Sequence, residues 1–147
     1  MTSQPRFSVV IAVFNEADNL EAVTQDILRA AAPLGQFELI YVDDGSTDIT
    51  ADRVRALRAP GNAIRLLRHD RRCGKTAALI TGVMAARAPW IVTMDGDGQD
   101  SAEDVPRLLE LAWAGDKPSP LVAGIRTTRA SADRLIKYAS SSRSSLM

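Results

Sequence analysis

Phe7-Ser8-Val9-Val10-Ile11-Ala12-Val13-Phe14 runs into Asn15-Glu16, and this junction decides the fold. Eight nearly continuous apolar residues rich in β-branched side chains predict a strand covered on both faces, as in a parallel sheet sandwiched between helices. Asn15-Glu16 ends the run. Asp18 with Glu21 three residues later has the spacing of a capping box, and Leu20, Val23, Ile27 and Ala31 follow at helical intervals. The first unit is therefore a strand followed by a helix.

The alternation repeats outward along the chain. Phe37–Val42 predicts a second strand, and Asp43-Asp44-Gly45-Ser46-Thr47-Asp48 is a polar turn into a helix carrying Val54 and Leu57. Ala63–Leu67 predicts a third strand, followed by a basic loop from Arg68 to Gly74 and a helix over Lys75–Ala86. Trp90–Met94 predicts a fourth strand; Val105, Leu108, Leu109, Ala112 and Trp113 mark a helix that Gly115 ends; Leu121–Ile125 predicts a fifth strand. The expected class is α/β, with Rossmann-like β-α units around a mostly parallel sheet. Ligands bind such sheets beyond the carboxyl ends of the strands, which puts Asn15-Glu16, Asp43-Asp44, Arg71-Arg72 and Asp95-Gly96-Asp97 on one rim. After Ile125 the character changes: Arg126, Arg129, Arg134, Lys137 and Arg143 face one acid, Asp133, and the end is Ser-rich. Residues 1–126 are expected to form the domain. Residues 127–147 are expected to be a basic, partly disordered segment, with at most a short helix around Leu135, Ile136 and Ala139.

Composition narrows the function classes. Lys plus Arg and Asp plus Glu number 18 each, so bulk charge gives no argument for nucleic acid. The single cysteine, Cys73, excludes an internal disulfide and a cysteine-based zinc site. No apolar run approaches the roughly 20 residues needed to span a bilayer, and Met1-Thr2-Ser3-Gln4-Pro5 does not read as a signal peptide. The expected location is cytoplasmic, with the basic segment able to meet phosphate groups or the inner face of a membrane.

Chemistry concentrates in Trp90-Ile91-Val92-Thr93-Met94-Asp95-Gly96-Asp97-Gly98-Gln99-Asp100. A buried strand here delivers two carboxylates to a sheet edge. Held within ~5 Å they would repel by roughly 3 kcal/mol at an effective dielectric near 20, so they call for a counter-cation or for solvent. Mg²⁺ or Mn²⁺ suits hard carboxylate oxygens and completes its shell with water and phosphate. An acidic turn leading into a helix accounts for the same residues, and this stretch alone leaves both readings standing.

Other motifs fail on detail. Gly74-Lys75-Thr76 follows a strand as in a P-loop, but His69 stands where the first glycine is required, and Lys75 then reads as a solvated first-turn residue. Asp100 and Pro106 occupy the positions where an EF-hand needs glycine and glutamate. A haloacid-dehalogenase-type phosphatase also sets Asp-x-Asp after a strand, with Asp95 as nucleophile, and stays as an enzyme alternative although Gln99 departs from its pattern. His69 is the single histidine, which excludes a Ser-His-Asp triad, and it is expected at the surface end of a strand.

Three collinear segments, Val9-Val10-Ile11-Ala12-Val13-Phe14-Asn15-Glu16, Val42-Asp43-Asp44-Gly45-Ser46-Thr47-Asp48 and Met94-Asp95-Gly96-Asp97-Gly98-Gln99-Asp100, resemble the family 2 glycosyltransferases of the GT-A fold. Within that family they look most like polyprenyl-phosphate sugar transferases of the dolichol-phosphate mannosyltransferase type. The resemblance implies a UDP- or GDP-sugar donor, a polyprenyl-phosphate acceptor at the membrane surface, and inverting transfer assisted by Mg²⁺ or Mn²⁺. By position it implies that Ala12, Phe14, Glu16, Val42 and Asp44 hold the nucleoside. Asp95, Gly96, Asp97 and Gln99 would form the metal and diphosphate site, with Asp97 as the catalytic metal ligand, and Arg126 would meet phosphate. The family usually carries Pro and Tyr where this chain has Ala12 and Phe14. Its acceptor-side segment has no counterpart after about Ser140, so a C-terminally truncated form is expected. A donor-binding module that is not catalytic, or that depends on a partner chain, is the competing class.

Overall fold

The structure, a computed structural model, describes residues 3–114, 121–125 and 136–140. Its elements follow the order β1 (Phe7–Val13), α1 (Leu20–Ala31), β2 (Phe37–Asp43), α2 (Thr50–Leu57), β3 (Ile64–Arg68), α3 (Lys75–Ala85), β4 (Trp90–Asp95), α4 (Asp104–Trp113), β5 (Leu121–Ile125) and β6 (Ile136–Ser140). One sheet orders the strands β3-β2-β1-β4-β6-β5. β3, β2, β1 and β4 are parallel neighbours, whereas β6 runs antiparallel to both β4 and β5. The α/β class and the mostly parallel sheet agree with the sequence reading.

The alternation of side chains along each strand divides the core in two. Phe7, Val9, Ile11 and Val13 of β1, with Leu39, Tyr41, Val92 and Met94, pack against α1, α2 and α4. Val10, Ile40, Val42 and Ile91 point to the other face, where Ala78 of α3 meets them. Gly82 lets α3 lie this close, because a Cβ there would stand 2.3 Å from Val10 Cγ1. Burial with a hydroxyl partner is satisfied inside the larger layer: Thr24 Oγ1 donates to the Leu20 carbonyl and accepts from Tyr41 Oη, each at 2.6 Å. Burial pushes the Tyr41 phenol up to about 12, the Thr24 hydrogen bond acting in the opposite direction.

Three local expectations need correction. The Asp18–Glu21 capping box does not form; α1 begins at Leu20 with Asn19 at its N-cap and no side-chain cap. Asn19 Nδ2 instead donates to Glu16 Oε2 at 2.8 Å, which ties the helix entrance to the strand end. His69 does not end a strand at the surface, as detailed below. Residues 136–140 are extended, not helical. Ile and Tyr favour strands, and pairing with β4 and β5 outweighs a weak local helical spacing, so part of the stretch beyond residue 126 lies in the sheet. Gly115, Arg126 and the remainder of residues 127–147 fall outside the described residues.

A carboxylate-lined cleft at the strand ends

The register brings the polar turns level. Ala12 pairs with both Val42 and Asp95, Val13 pairs with Asp43, and Asp43 pairs with Arg68. Each strand therefore reaches its polar end at the same height, and the loops that follow meet there.

Those loops are stitched together by short hydrogen bonds. Asn15, in the left-handed region at φ 51°, offers its Oδ1 to the Thr47 N–H at 2.9 Å, and its own N–H donates to Ser46 Oγ at 2.9 Å. The Glu16 N–H donates to Thr50 Oγ1 at 3.0 Å. Asp43 is fully buried and closes its own turn by accepting the Ser46 N–H at 2.9 Å. Its Oδ2 lies 3.2 Å from Arg68 Nε, close enough for ion pairing although not aligned as a hydrogen bond.

Asp44 anchors the basic loop. Its Oδ1 accepts the Cys73 N–H and lies 2.8 Å from His69 Nδ1, while its Oδ2 accepts the Gly74 N–H, both backbone bonds being 2.8 Å. Burial alone would raise the Asp44 pKa; the Cys73 N–H, His69 and the Gly74 N–H outweigh it and hold the carboxyl below its ordinary value. His69 Nε2 reaches Thr81 Oγ1 of α3 at 2.8 Å, so this histidine links turn, loop and helix. Oxygen, nitrogen and sulfur atoms of Asp44, His69 and Cys73 lie within 4.8 Å of one another, but with the carboxylate already committed to three loop groups the cluster works as an anchor. Gly45 permits the crossing. At φ 76° it sits under the loop, and a Cβ would stand 2.6 Å from the Arg71 carbonyl carbon.

The result is a cleft of about 240 Å³ lined by Ala12, Val13, Phe14, Glu16, Asp44, Arg72, Lys75, Asp95, Gly96 and Asp97. Seven residues singled out from sequence meet there: Ala12, Phe14, Glu16, Asp44, Asp95, Gly96 and Asp97. Val42 does not line it; it is fully buried under the floor and packs toward α3. Gln99 is exposed and faces a neighbouring hollow with Gly98 and Asp100, while its N–H donates to Asp97 Oδ1 at 3.0 Å. Gly96 is required between the two acids, because a Cβ there would stand 2.5 Å from Val13 Cγ1.

Two cations complete the lining. The Arg72 guanidinium lies over the Phe14 ring, 4.1 Å from its centroid, a cation–π contact. Lys75 Nζ forms an ion pair with Asp95 Oδ1. Sequence reading put Arg72 on the rim but took Lys75 for a solvated residue and His69 for a surface one. The available clue was register: both follow a strand that ends level with Asp43, and Gly45 in the intervening turn allows their loop to cross. The donor set fits a divalent ion of the Mg²⁺ or Mn²⁺ kind, since Asp95 and Asp97 offer hard oxygens and Asp95 already attracts a cation. Among the described residues no helix is long and apolar enough to cross a membrane.

The sequence profile described as glycosyl transferase family 2 matches residues 8–141. The undecaprenyl-phosphate 4-deoxy-4-formamido-L-arabinose transferase of Edwardsiella ictaluri is 35% identical over 124 residues, which are 83% of this chain and 37% of that protein. A Pyrobaculum calidifontis mannosyltransferase, solved with GDP-Man and Mn²⁺, superposes with a TM-score of 0.61 at 33% identity over 71% of this chain and 31% of its own. The glucosyl-3-phosphoglycerate synthase of Mycobacterium tuberculosis, solved with Mn²⁺, UDP and glucosyl-3-phosphoglycerate, gives 0.59 at 27% identity over 78% and 41%. The chain thus spans about a third of the length of the curated relatives it matches. The dehalogenase alternative rested on Asp95 and Asp97 alone, whereas the match takes in all three motif segments from Ser8 onward. The chain belongs to glycosyl transferase family 2.

Proposed function

We propose that this chain is the donor-binding part of a metal-dependent glycosyltransferase that moves a sugar from a UDP- or GDP-sugar to a polyprenyl phosphate at the cytoplasmic membrane surface. The observation that carries the reading is the convergence of Asp95 and Asp97 with Phe14, Arg72 and Lys75 in one cleft at the carboxyl ends of parallel strands. Acids that suit a metal, a flat surface that suits a base and cations that suit phosphate are the three requirements of a nucleoside-diphosphate sugar. The nucleotide and Mn²⁺ complexes of the similar structures and the lipid-phosphate substrate in the relative's name support the same reading.

In this reading Phe14 and Arg72 flank the base, and Glu16 and Asp44 face the ribose hydroxyls; Asp44 keeps one lone pair on Oδ2 beyond its loop contacts. Asp95 and Asp97 hold the cation, Gln99 steadies Asp97 through its N–H, and Arg126 meets phosphate. The cation supplies Lewis-acid stabilisation of the charge that grows on the departing diphosphate. Lys75 adds positive charge on the same side. A phosphate acceptor is already anionic, so attack at the anomeric carbon with inversion needs no general base from this chain.

Calorimetric titration of UDP and GDP with and without Mn²⁺ tests the reading. Binding of at least one nucleotide should tighten tenfold or more with the metal, and Asp97→Asn should remove that gain while leaving the fold intact. Nucleotide binding of equal strength without metal, or none under either condition, would count against the site.

A further inference from the structure

The Lys75–Asp95 ion pair has no place in a site whose two acids are both reserved for a metal. Lys75 is the first residue of α3 and its side chain is half exposed, whereas that of Asp95 is largely buried at 18% exposure. Its position is built: Asp44 fixes the two preceding residues through the Cys73 and Gly74 N–H groups, and Gly74 turns the chain at φ 99°. Asp97 is exposed, and among the described residues no Lys or Arg pairs with it.

We propose that Lys75 is an internal counter-ion that holds the metal's place on Asp95 and exchanges with it when the donor arrives. The inference rests on the proposed metal role of Asp95 and Asp97. Lys75 neutralises Asp95 directly, so a divalent ion entering alone must displace an ammonium from its carboxylate. A nucleoside diphosphate brings about three negative charges with the ion, and the released ammonium then has phosphate oxygens to meet. A four-carbon stem carrying a compact charge can make that move without backbone change, and a half-exposed ion pair is weak enough to open. Metal and nucleotide therefore bind cooperatively, with Lys75 setting the coupling.

Free Mn²⁺ measured by electron paramagnetic resonance, with and without UDP or GDP, tests this in the wild type, Lys75→Met, Lys75→Gln and Lys75→Arg, each checked for folding by thermal unfolding. Lys75→Met and Lys75→Gln should bind Mn²⁺ alone three- to tenfold more tightly than the wild type, and the nucleotide should enhance metal binding by a correspondingly smaller factor. Lys75→Arg should keep the weak metal-alone binding. Unchanged or weaker metal-alone affinity in both neutral variants, with nucleotide-dependent Mn²⁺ binding intact, would overturn the exchange and spare the donor site. Absence of Mn²⁺ binding in every protein, with and without nucleotide, would overturn both.

Discussion

Two kinds of residue meet in the cleft, and they differ in how far the sequence reveals them. Asp95 and Asp97 stand out in the sequence as paired carboxylates at a strand end, where a metal site and an acidic turn are both open until the resemblance of three collinear segments favours the metal. Lys75 and His69 do not stand out, because their partners, Asp95 and Asp44, lie 20 and 25 positions away and only the register joins them. Asp44 was read as a nucleoside contact, yet in the structure it is first a loop anchor. Its depressed pKa sets the sign of a pH effect: the contribution is present above the unfolded carboxyl value near 3.9 and is lost as pH falls through the lower folded value. Asp44→Asn replaces an acceptor of two backbone N–H bonds with a group that also donates, and should cost about 1–3 kcal/mol at pH 7. The difference from wild type should shrink below about pH 4, as denaturant midpoints at pH 7 and pH 3 would show.

Among the elements, the strands and helices of the parallel half were legible from periodicity to within a residue or two at most boundaries. β1 and β2 are nearly continuous apolar runs because helices cover both of their faces. β6 was missed since five residues of mixed character carry little periodicity, and its pairing depends on β4, whose partner residues stand 47 and 49 positions earlier. The entrance of α1 was misread because Asn19 takes the N-cap and bonds Glu16 in its own loop, while Asn15 and the Glu16 N–H serve the turn after β2. Gly45 is where two elements become one site, since it is the point of the Asp43–Asp48 turn that lies against the backbone of Arg71 and Arg72 in the loop leading to Lys75. Gly45→Ala puts a Cβ against the Arg71 and Arg72 backbone at a positive φ. It should destabilise the protein by about 1–3 kcal/mol and weaken nucleotide binding more than tenfold, which thermal unfolding and calorimetry would measure together.

At the scale of the sheet, the β3-β2-β1-β4 order gathers four strand ends on one rim, and α3 is the one helix among the described residues on the second face, its first residue opening onto the cleft. The family and the mostly parallel α/β class were legible from three collinear motifs and the strand-helix alternation; the strand order, the antiparallel edge and the ion pair inside the site were not, because they depend on contacts across the sheet. The central claim is that Asp95 and Asp97 hold a divalent cation against a nucleoside diphosphate. Anomalous diffraction at the manganese edge, from crystals grown with Mn²⁺ and either UDP or GDP, measures this directly. The account predicts one manganese peak within about 2.3 Å of an Asp97 oxygen and of the diphosphate, with Lys75 Nζ moved from Asp95 to phosphate. A nucleotide bound in this cleft with no manganese at Asp97, or a manganese peak away from both acids, would contradict it.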